Sequence, residues 1–124
     1  AVADYRVAEP AADKVKKKHA PLALDLIPNP DILRDVAAIP EGPFTLGFAA
    51  ETDDLIDHAR AKLTAKGLDM IAANRVGDGL GFDVVENQLE VLWNDGAVTL
   101  GPLSKERLAI ALMDLLGEHF DAAR

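Results

Sequence analysis

The sequence predicts an α/β domain with a parallel sheet and helices on its faces. Between residues 29 and 74 the pattern runs helix, strand, helix, strand with short connections, which is typical of parallel strands. The two strands are nearly continuous apolar runs, as in strands buried on both faces. The chain has 124 residues, 49% of them hydrophobic, so one domain with one core is expected over residues 1–124.

The first part of the chain is predicted to form a short strand end, a loop and a hairpin. Residues 1–3 resemble the end of a buried strand, and residues 7–12 read as a loop. Alternation over residues 14–26 predicts a hairpin. Lys14, Lys16 and Lys18 would share one face of its first arm, and Leu22, Leu24 and Leu26 one face of its second.

The middle of the chain supplies the helices and strands of the predicted sheet. A short helix is predicted to start at Asn29-Pro30-Asp31, with Asn29 as cap, and to end by Pro40. A strand follows over residues 44–50. The next helix starts at residues 52–54 and ends at Gly67, before a strand over residues 68–74. Its inward side chains are expected to be Leu55, Ile56, Ala59 and Leu63.

The last part of the chain predicts a loop, a hairpin and a helix. Gly77, Gly79 and Gly81 mark the loop. Residues 86–101 are predicted to form the hairpin around an Asp-Gly turn. Ser104 caps the final helix, whose apolar face comprises Leu108, Leu112, Leu115, Leu116 and Phe120.

Composition narrows the possible partners. The chain has no cysteine, which excludes disulfides and thiolate metal sites and fits a cytoplasmic protein. No apolar run is long enough to cross a membrane, and no secretory leader is recognisable. A net charge of −8 argues against nucleic-acid binding. An anionic ligand would therefore have to be held by local cations.

Four of the seven lysines lie in the five residues 14–18, and two interpretations remain open. The lysines could protect a strand edge from aggregation. They could instead bind a phosphate or a carboxylate under activation. Lys62 and Lys66 share one helix face and leave the same choice between solvent and an anion, with Asp54 and His58 placed to offset their repulsion.

Two further patterns are weaker. The start of the NPDIL segment is explained by helix capping, although such a start also suits an anion. GDGLGF has neither the lysine nor the following helix of a phosphate loop and reads as an ordinary loop. The three histidines are far apart and predict no metal site.

Taken in order, the segments ADYR, KVKKK, NPDIL, LGFAAET, KGLD, IAAN and GFDVVEN resemble phosphopantothenate–cysteine ligase. This is the synthetase part of the bifunctional phosphopantothenoylcysteine decarboxylase/synthetase of bacterial coenzyme A biosynthesis. The resemblance runs from Ala1 to about Phe120. It implies the second half of a Rossmann-like three-layer domain with parallel strands plus an antiparallel hairpin extension. It also implies that the first half of the ligase domain precedes this chain.

The resemblance implies a CTP-dependent ligation. The carboxylate of 4′-phosphopantothenate attacks CTP to give an acyl-cytidylate, and L-cysteine then displaces CMP. Mg²⁺ would accompany CTP, and FMN would belong only to a separate decarboxylase domain. The family pairs through its antiparallel extension, so a homodimer is expected, and an unpaired edge over residues 14–26 would favour it.

The resemblance also implies roles for individual residues. Lys14 would be catalytic, at the reaction centre, and Asp4 would contact the nucleotide, with no protein side chain assigned as a metal ligand. The wall of the nucleotide pocket would comprise Pro30, Asp31, Ile32, Leu33 and Phe48. Lys62 and Lys66 would hold the triphosphate.

One departure and one alternative accompany this interpretation. Arg75 stands where the family commonly has an acidic residue, so a cation replaces a carboxylate there. The alternative hypothesis is that the chain by itself is a nucleotide-binding or dimerisation module without catalysis.

Overall fold

The computed structural model describes residues 3–16, 21–75 and 87–123. These residues form two compact units, Ala1–Ile32 and Leu33–Arg124. The elements are β1 (Tyr5–Val7), β2 (Leu26–Pro28), α1 (Ile32–Ala37), β3 (Leu46–Glu51), α2 (Leu55–Lys66), β4 (Met70–Arg75), β5 (Asn87–Trp93), β6 (Gly96–Leu103) and α3 (Lys105–Ala122). The glycine loop over residues 77–81 lies outside the described residues.

The first unit contains a small antiparallel sheet in which β1 pairs with β2, from Tyr5 opposite Pro28 to Val7 opposite Leu26. An antiparallel extension is thus present, but the prediction that residues 14–26 form its two arms is wrong. Residues 13–16 and 21–25 are irregular. Leu22 and Leu24 are 72% and 58% exposed, so their alternation creates no buried face that could hold a strand in register.

The second unit contains a four-stranded mixed sheet in the order β3-β4-β5-β6. β3 and β4 are parallel, as predicted, and β5 runs antiparallel to both of its neighbours, β4 and β6. A two-residue turn at Asn94 and Asp95 joins β5 to β6, which confirms the predicted second hairpin.

Helices cover both faces of this sheet and give it three layers. One face packs against α2, with Ala49, Ile71 and Leu92 among its buried residues. The other packs against α3, with Met70 and Val91 buried. The parallel strands and the flanking helices confirm the predicted α/β class.

The apolar side of α2 is narrower than predicted. Leu55, Ala59 and Leu63 are buried as expected, at a spacing of four residues. Ile56 is 53% exposed, so its predicted inward position is wrong. One residue along a helix turns the side chain by about 100°, which carries Ile56 away from the stripe that faces the sheet.

Two features fix the ends of the parallel strands. At the amino end, the Asp69 carboxylate accepts hydrogen bonds from the Thr45 amide and hydroxyl, at 2.6 and 2.8 Å. At the carboxyl end, Glu51 of β3 lies opposite Arg75 of β4. α2 begins four residues after β3 ends, and its end is capped by Gly67, as predicted, at a positive φ of 66°. Ligands of open α/β sheets usually bind at the carboxyl end.

Across the described ranges, no helix combines the length and the apolar character needed to span a membrane.

Candidate functional site

In the first unit, hydrogen bonds bring Asp4 beside the NPDIL segment. The Asn29 amide N–H donates to the Asp4 carbonyl oxygen at 2.8 Å. The Asn29 side-chain Nδ2 donates to the Ala3 carbonyl oxygen at 2.6 Å. Arg6 Nη1 donates to Asn29 Oδ1 and to the Pro28 carbonyl oxygen, both at 3.1 Å. Two of the predicted nucleotide-binding segments therefore share one backbone scaffold.

These bonds also correct the predicted role of Asn29. α1 begins at Ile32, three residues beyond Asn29. The Asn29 side chain is occupied by the Ala3 carbonyl and by Arg6 instead. The prediction that Asn29 caps the helix is wrong because its amide and carbonyl groups find partners on β1 and before it.

The remaining candidates of the first unit are largely accessible. Lys14 is exposed in the irregular segment before residue 17, and Pro30 is exposed. Asp31 is half-buried, and Ile32 is 55% exposed at the start of α1. Lys17, Lys18 and His19 lie outside the described residues.

Leu33, in the second unit, is the candidate with a packing role. It is half-buried and packs against the buried core on the α2 face of the sheet. A Cβ built on Gly47 would lie only 3.2 Å from Leu33 Cδ2 and 2.7 Å from Leu68 Cδ1. The glycine of LGFAAET therefore lets the α1 helix approach β3 closely.

A cluster of three charged or titratable side chains lies at the carboxyl end of β3; we call it the Glu51 cluster, and it comprises Glu51, His58 and Lys62. Lys62 Nζ donates to Glu51 Oε1 at 2.5 Å. His58 Nδ1 lies 3.4 Å from Glu51 Oε2. The Glu51 side chain is only 13% exposed, whereas Lys62 and His58 are 48% and 55% exposed.

The surroundings of Glu51 favour the ionised form of its carboxyl group. The hydrogen bond from Lys62 lowers the pKa of Glu51 below its ordinary 4.5, against the opposing effect of burial. The charges of Lys62 and His58 act in the same lowering direction. The Glu51 carboxylate, which comes from the strand, therefore offsets the repulsion expected between Lys62 and Lys66.

Phe48 and Lys66 occupy different surroundings from the Glu51 cluster. Phe48 is 69% exposed. It alternates with Gly47 and Ala49, and therefore lies on the sheet face that α3 covers elsewhere, opposite the face of Glu51. Lys66 is half-buried in the last turn of α2. A ligand that touched both Phe48 and Lys62 would have to pass around the end or the edge of β3.

A cleft of about 570 Å³ lies at the same carboxyl end, lined by Asp53, Asp54, Leu55, Ile56, Asp57, Arg75 and Glu90. Arg75 is thus a cation among four carboxylates in this cleft. Within the described part of the chain, no three side chains of His, Asp or Glu are grouped so as to hold a metal ion.

Sequence patterns alone did not identify Glu51 as a site residue, and they did not link His58 to it. Glu51 had only one signal, its position directly after an apolar strand. His58 was expected to offset the repulsion between Lys62 and Lys66, and helical spacing does place it one turn before Lys62. The partner of both is a strand residue eleven positions before Lys62, which periodicity within one helix does not reveal.

The chain matches the family model described as the DNA/pantothenate metabolism flavoprotein C-terminal domain over residues 1–119. It is 46% identical over 121 residues to the coenzyme A biosynthesis bifunctional protein CoaBC of Haemophilus influenzae, covering 97% of this chain and 30% of that protein. The CoaBC protein of Vibrio cholerae is 47% identical over 123 residues, covering 96% and 31%. The chain therefore spans about a third of the length of these relatives.

Two solved structures have folds similar to that of this chain. The crystal structure of the C-terminal domain of a CoaBC protein superposes with a TM-score of 0.72 at 25% identity, covering 98% of this chain and 52% of that one. The flavoprotein from Streptococcus pneumoniae superposes with a TM-score of 0.62 at 23% identity, covering 78% of this chain and 43% of that one. The resemblance seen in the sequence motifs is confirmed, and the chain belongs to the DNA/pantothenate metabolism flavoprotein C-terminal domain family.

Proposed function

We propose that the protein to which this chain belongs acts in coenzyme A biosynthesis as a CTP-dependent phosphopantothenate–cysteine ligase. The observation that carries the proposal is the match of almost the whole chain, at 46% and 47% identity, to proteins named for bifunctional coenzyme A biosynthesis. The region of similarity includes the positions of all the candidate site residues, from Asp4 to Lys66.

The proposed reaction has two steps. A carboxylate oxygen of 4′-phosphopantothenate attacks the α-phosphorus of CTP, the bond to the β-phosphate oxygen breaks, and pyrophosphate leaves. The amine of L-cysteine then attacks the acyl carbon, loses a proton and expels CMP, leaving an amide. Negative charge accumulates on phosphate oxygens in the first step, so positioned cations are the principal catalytic need.

In this proposal Lys14 stabilises the charge that develops between the carboxylate and the α-phosphate. Its side chain is exposed, as access to two substrates requires. The hydrogen bond from the Asn29 amide to the Asp4 carbonyl supports a shared nucleotide wall formed by Asp4 and residues 30–32 of the first unit. Exposed Phe48 offers a ring face to the nucleotide.

Lys62 and Lys66 would hold the triphosphate from α2. The geometry that supports this is the Lys62 ammonium at the carboxyl end of β3, where open α/β sheets usually bind ligands. Mg²⁺ would arrive as part of the nucleotide substrate, held mainly by phosphate oxygens, which is its common mode of binding.

The test is an assay of the whole protein with CTP, Mg²⁺, 4′-phosphopantothenate and L-cysteine. We expect one CMP and one pyrophosphate for each phosphopantothenoylcysteine formed, and no product when CTP is omitted. The chain of 124 residues alone is expected to be inactive, since it spans about a third of its relatives. An absence of CMP from the whole protein, or equal turnover with ATP, would contradict the proposal.

A further inference from the structure

We propose that Glu51 is a positioning residue for the triphosphate, because it holds the Lys62 ammonium at the carboxyl end of β3. The inference rests on the proposed function and deepens it. Glu51 itself need not touch the nucleotide; it acts through Lys62.

The side chains of the Glu51 cluster differ in burial. The Glu51 side chain is 13% exposed and belongs to a strand, so its carboxylate is a fixed point. Lys62 is 48% exposed on a four-carbon stem that is flexible in solution. The 2.5 Å hydrogen bond ties the flexible group to the fixed one.

The Lys62 ammonium has more donors than its bond to Glu51 uses. It has three N–H groups, and among the described residues one carboxylate oxygen of Glu51 accepts from one of them. Up to two N–H groups can therefore face phosphate oxygens while the bond to Glu51 remains. The ammonium keeps its capacity to bind an anion and loses much of its freedom.

His58 contacts the same carboxylate through its other oxygen. With both Glu51 oxygens approached by nitrogen, the carboxylate has little freedom to turn away from Lys62. Lys62 is therefore already partly ordered before the nucleotide binds, so binding costs less side-chain conformational entropy.

The experiment measures steady-state kinetics of the whole protein and of its variants Glu51→Ala, Glu51→Gln, Lys62→Ala and the double variant. We expect Glu51→Ala to raise the KM for CTP about three- to tenfold, the cost of ordering one long side chain. The kcat and the KM values for the other two substrates should stay within about twofold. Glu51→Gln should show a smaller rise, because its amide oxygen still accepts from Lys62.

The double variant separates positioning from an independent effect. If Glu51 acts through Lys62, its removal should change nothing further once Lys62 is alanine. Glu118→Gln, the same chemical change at an exposed position of α3, is the matched control and should leave the kinetics unchanged. Thermal unfolding of each variant checks that the fold is intact.

The outcomes distinguish this inference from the proposed function. A KM for CTP that is unchanged or lower in Glu51→Ala, or effects of the two substitutions that simply add, would overturn the positioning role. A lower KM would show that Glu51 competes with the nucleotide for Lys62. A Lys62→Ala variant with normal kinetics would refute the triphosphate role of Lys62, and an inactive wild-type protein would refute both proposals.

Discussion

The two compact units of this chain are ordered by different kinds of interaction. The unit Leu33–Arg124 is built on a sheet with fully buried residues, such as Met70 and Leu92 at 0% exposure. The unit Ala1–Ile32 has two strands of three residues each, with mostly exposed side chains, joined by the hydrogen bonds of Arg6 and Asn29. Burial of apolar side chains holds the second unit together, whereas hydrogen bonds from polar side chains join the strands of the first.

The candidate residues are distributed over both units. The candidate catalytic lysine, Lys14, belongs to the unit held by polar contacts. The candidate triphosphate lysines, Lys62 and Lys66, stand on a helix packed against the apolar core. The candidate triphosphate lysines therefore stand on an element packed against buried residues, whereas the candidate catalytic lysine stands on an exposed segment.

The largest expected effect comes from truncating one leucine in each unit, a buried leucine in the second unit and an exposed leucine in the first. Leu92→Ala deletes buried methyl groups and should lower the free energy of unfolding by about 2 to 5 kcal/mol. Leu24→Ala makes the same chemical change at a side chain that is 58% exposed, and should cost less than about 0.5 kcal/mol.

Denaturant unfolding of the two variants, with the change in midpoint as the readout, checks this pair. Similar losses of stability in both would mean that Leu24 is buried in the protein in solution. The description of the first unit as held by polar contacts would then be incorrect.

A smaller and more local effect is expected from Asn29→Ala. This variant loses the hydrogen bonds to the Ala3 carbonyl and from Arg6, each worth about 0.5 to 1.5 kcal/mol. Hydrogen exchange should accelerate at the amides of Ala8 and Asn29, which bond across the small sheet. The exchange of β4 and β5 amides should not change.

Glu9→Ala, an exposed change within the same unit, is the control and should leave exchange unaltered. If Asn29→Ala accelerated exchange in β4 as much as at Ala8, the two units would unfold together and the distinction between them would fail.

The comparison also explains which features the sequence could reveal. Strands β3 and β4, the Asp-Gly turn and the apolar face of α3 follow from burial, which leaves periodic traces in the sequence. The pairing of β1 with β2 leaves no such trace, since it depends on Asn29 and Arg6 meeting across more than twenty residues. The alternation of leucines over residues 22–26 is typical of a strand, but these side chains have no core against which to pack.

The candidate site shows the same limit. The lysines of α2 were visible from their spacing, and the family motifs identified Lys14, Asp4 and Phe48 as candidates. The contact between Glu51 and Lys62 could not be read from spacing, because a strand residue and a helix residue meet only after the fold has formed. The face occupied by Phe48 required the strand register.

The most direct measurement of the central claim compares Lys14→Gln with Lys16→Gln in the whole protein. Both lysines are exposed in the same irregular segment, and both changes remove one positive charge. We expect Lys14→Gln to slow CMP release by about a hundredfold or more, as the loss of a group that stabilises developing charge does. Lys16→Gln should stay within about twofold of the wild-type rate. Equal rates for the two variants, with the fold intact, would contradict the assignment of Lys14 to the reaction centre.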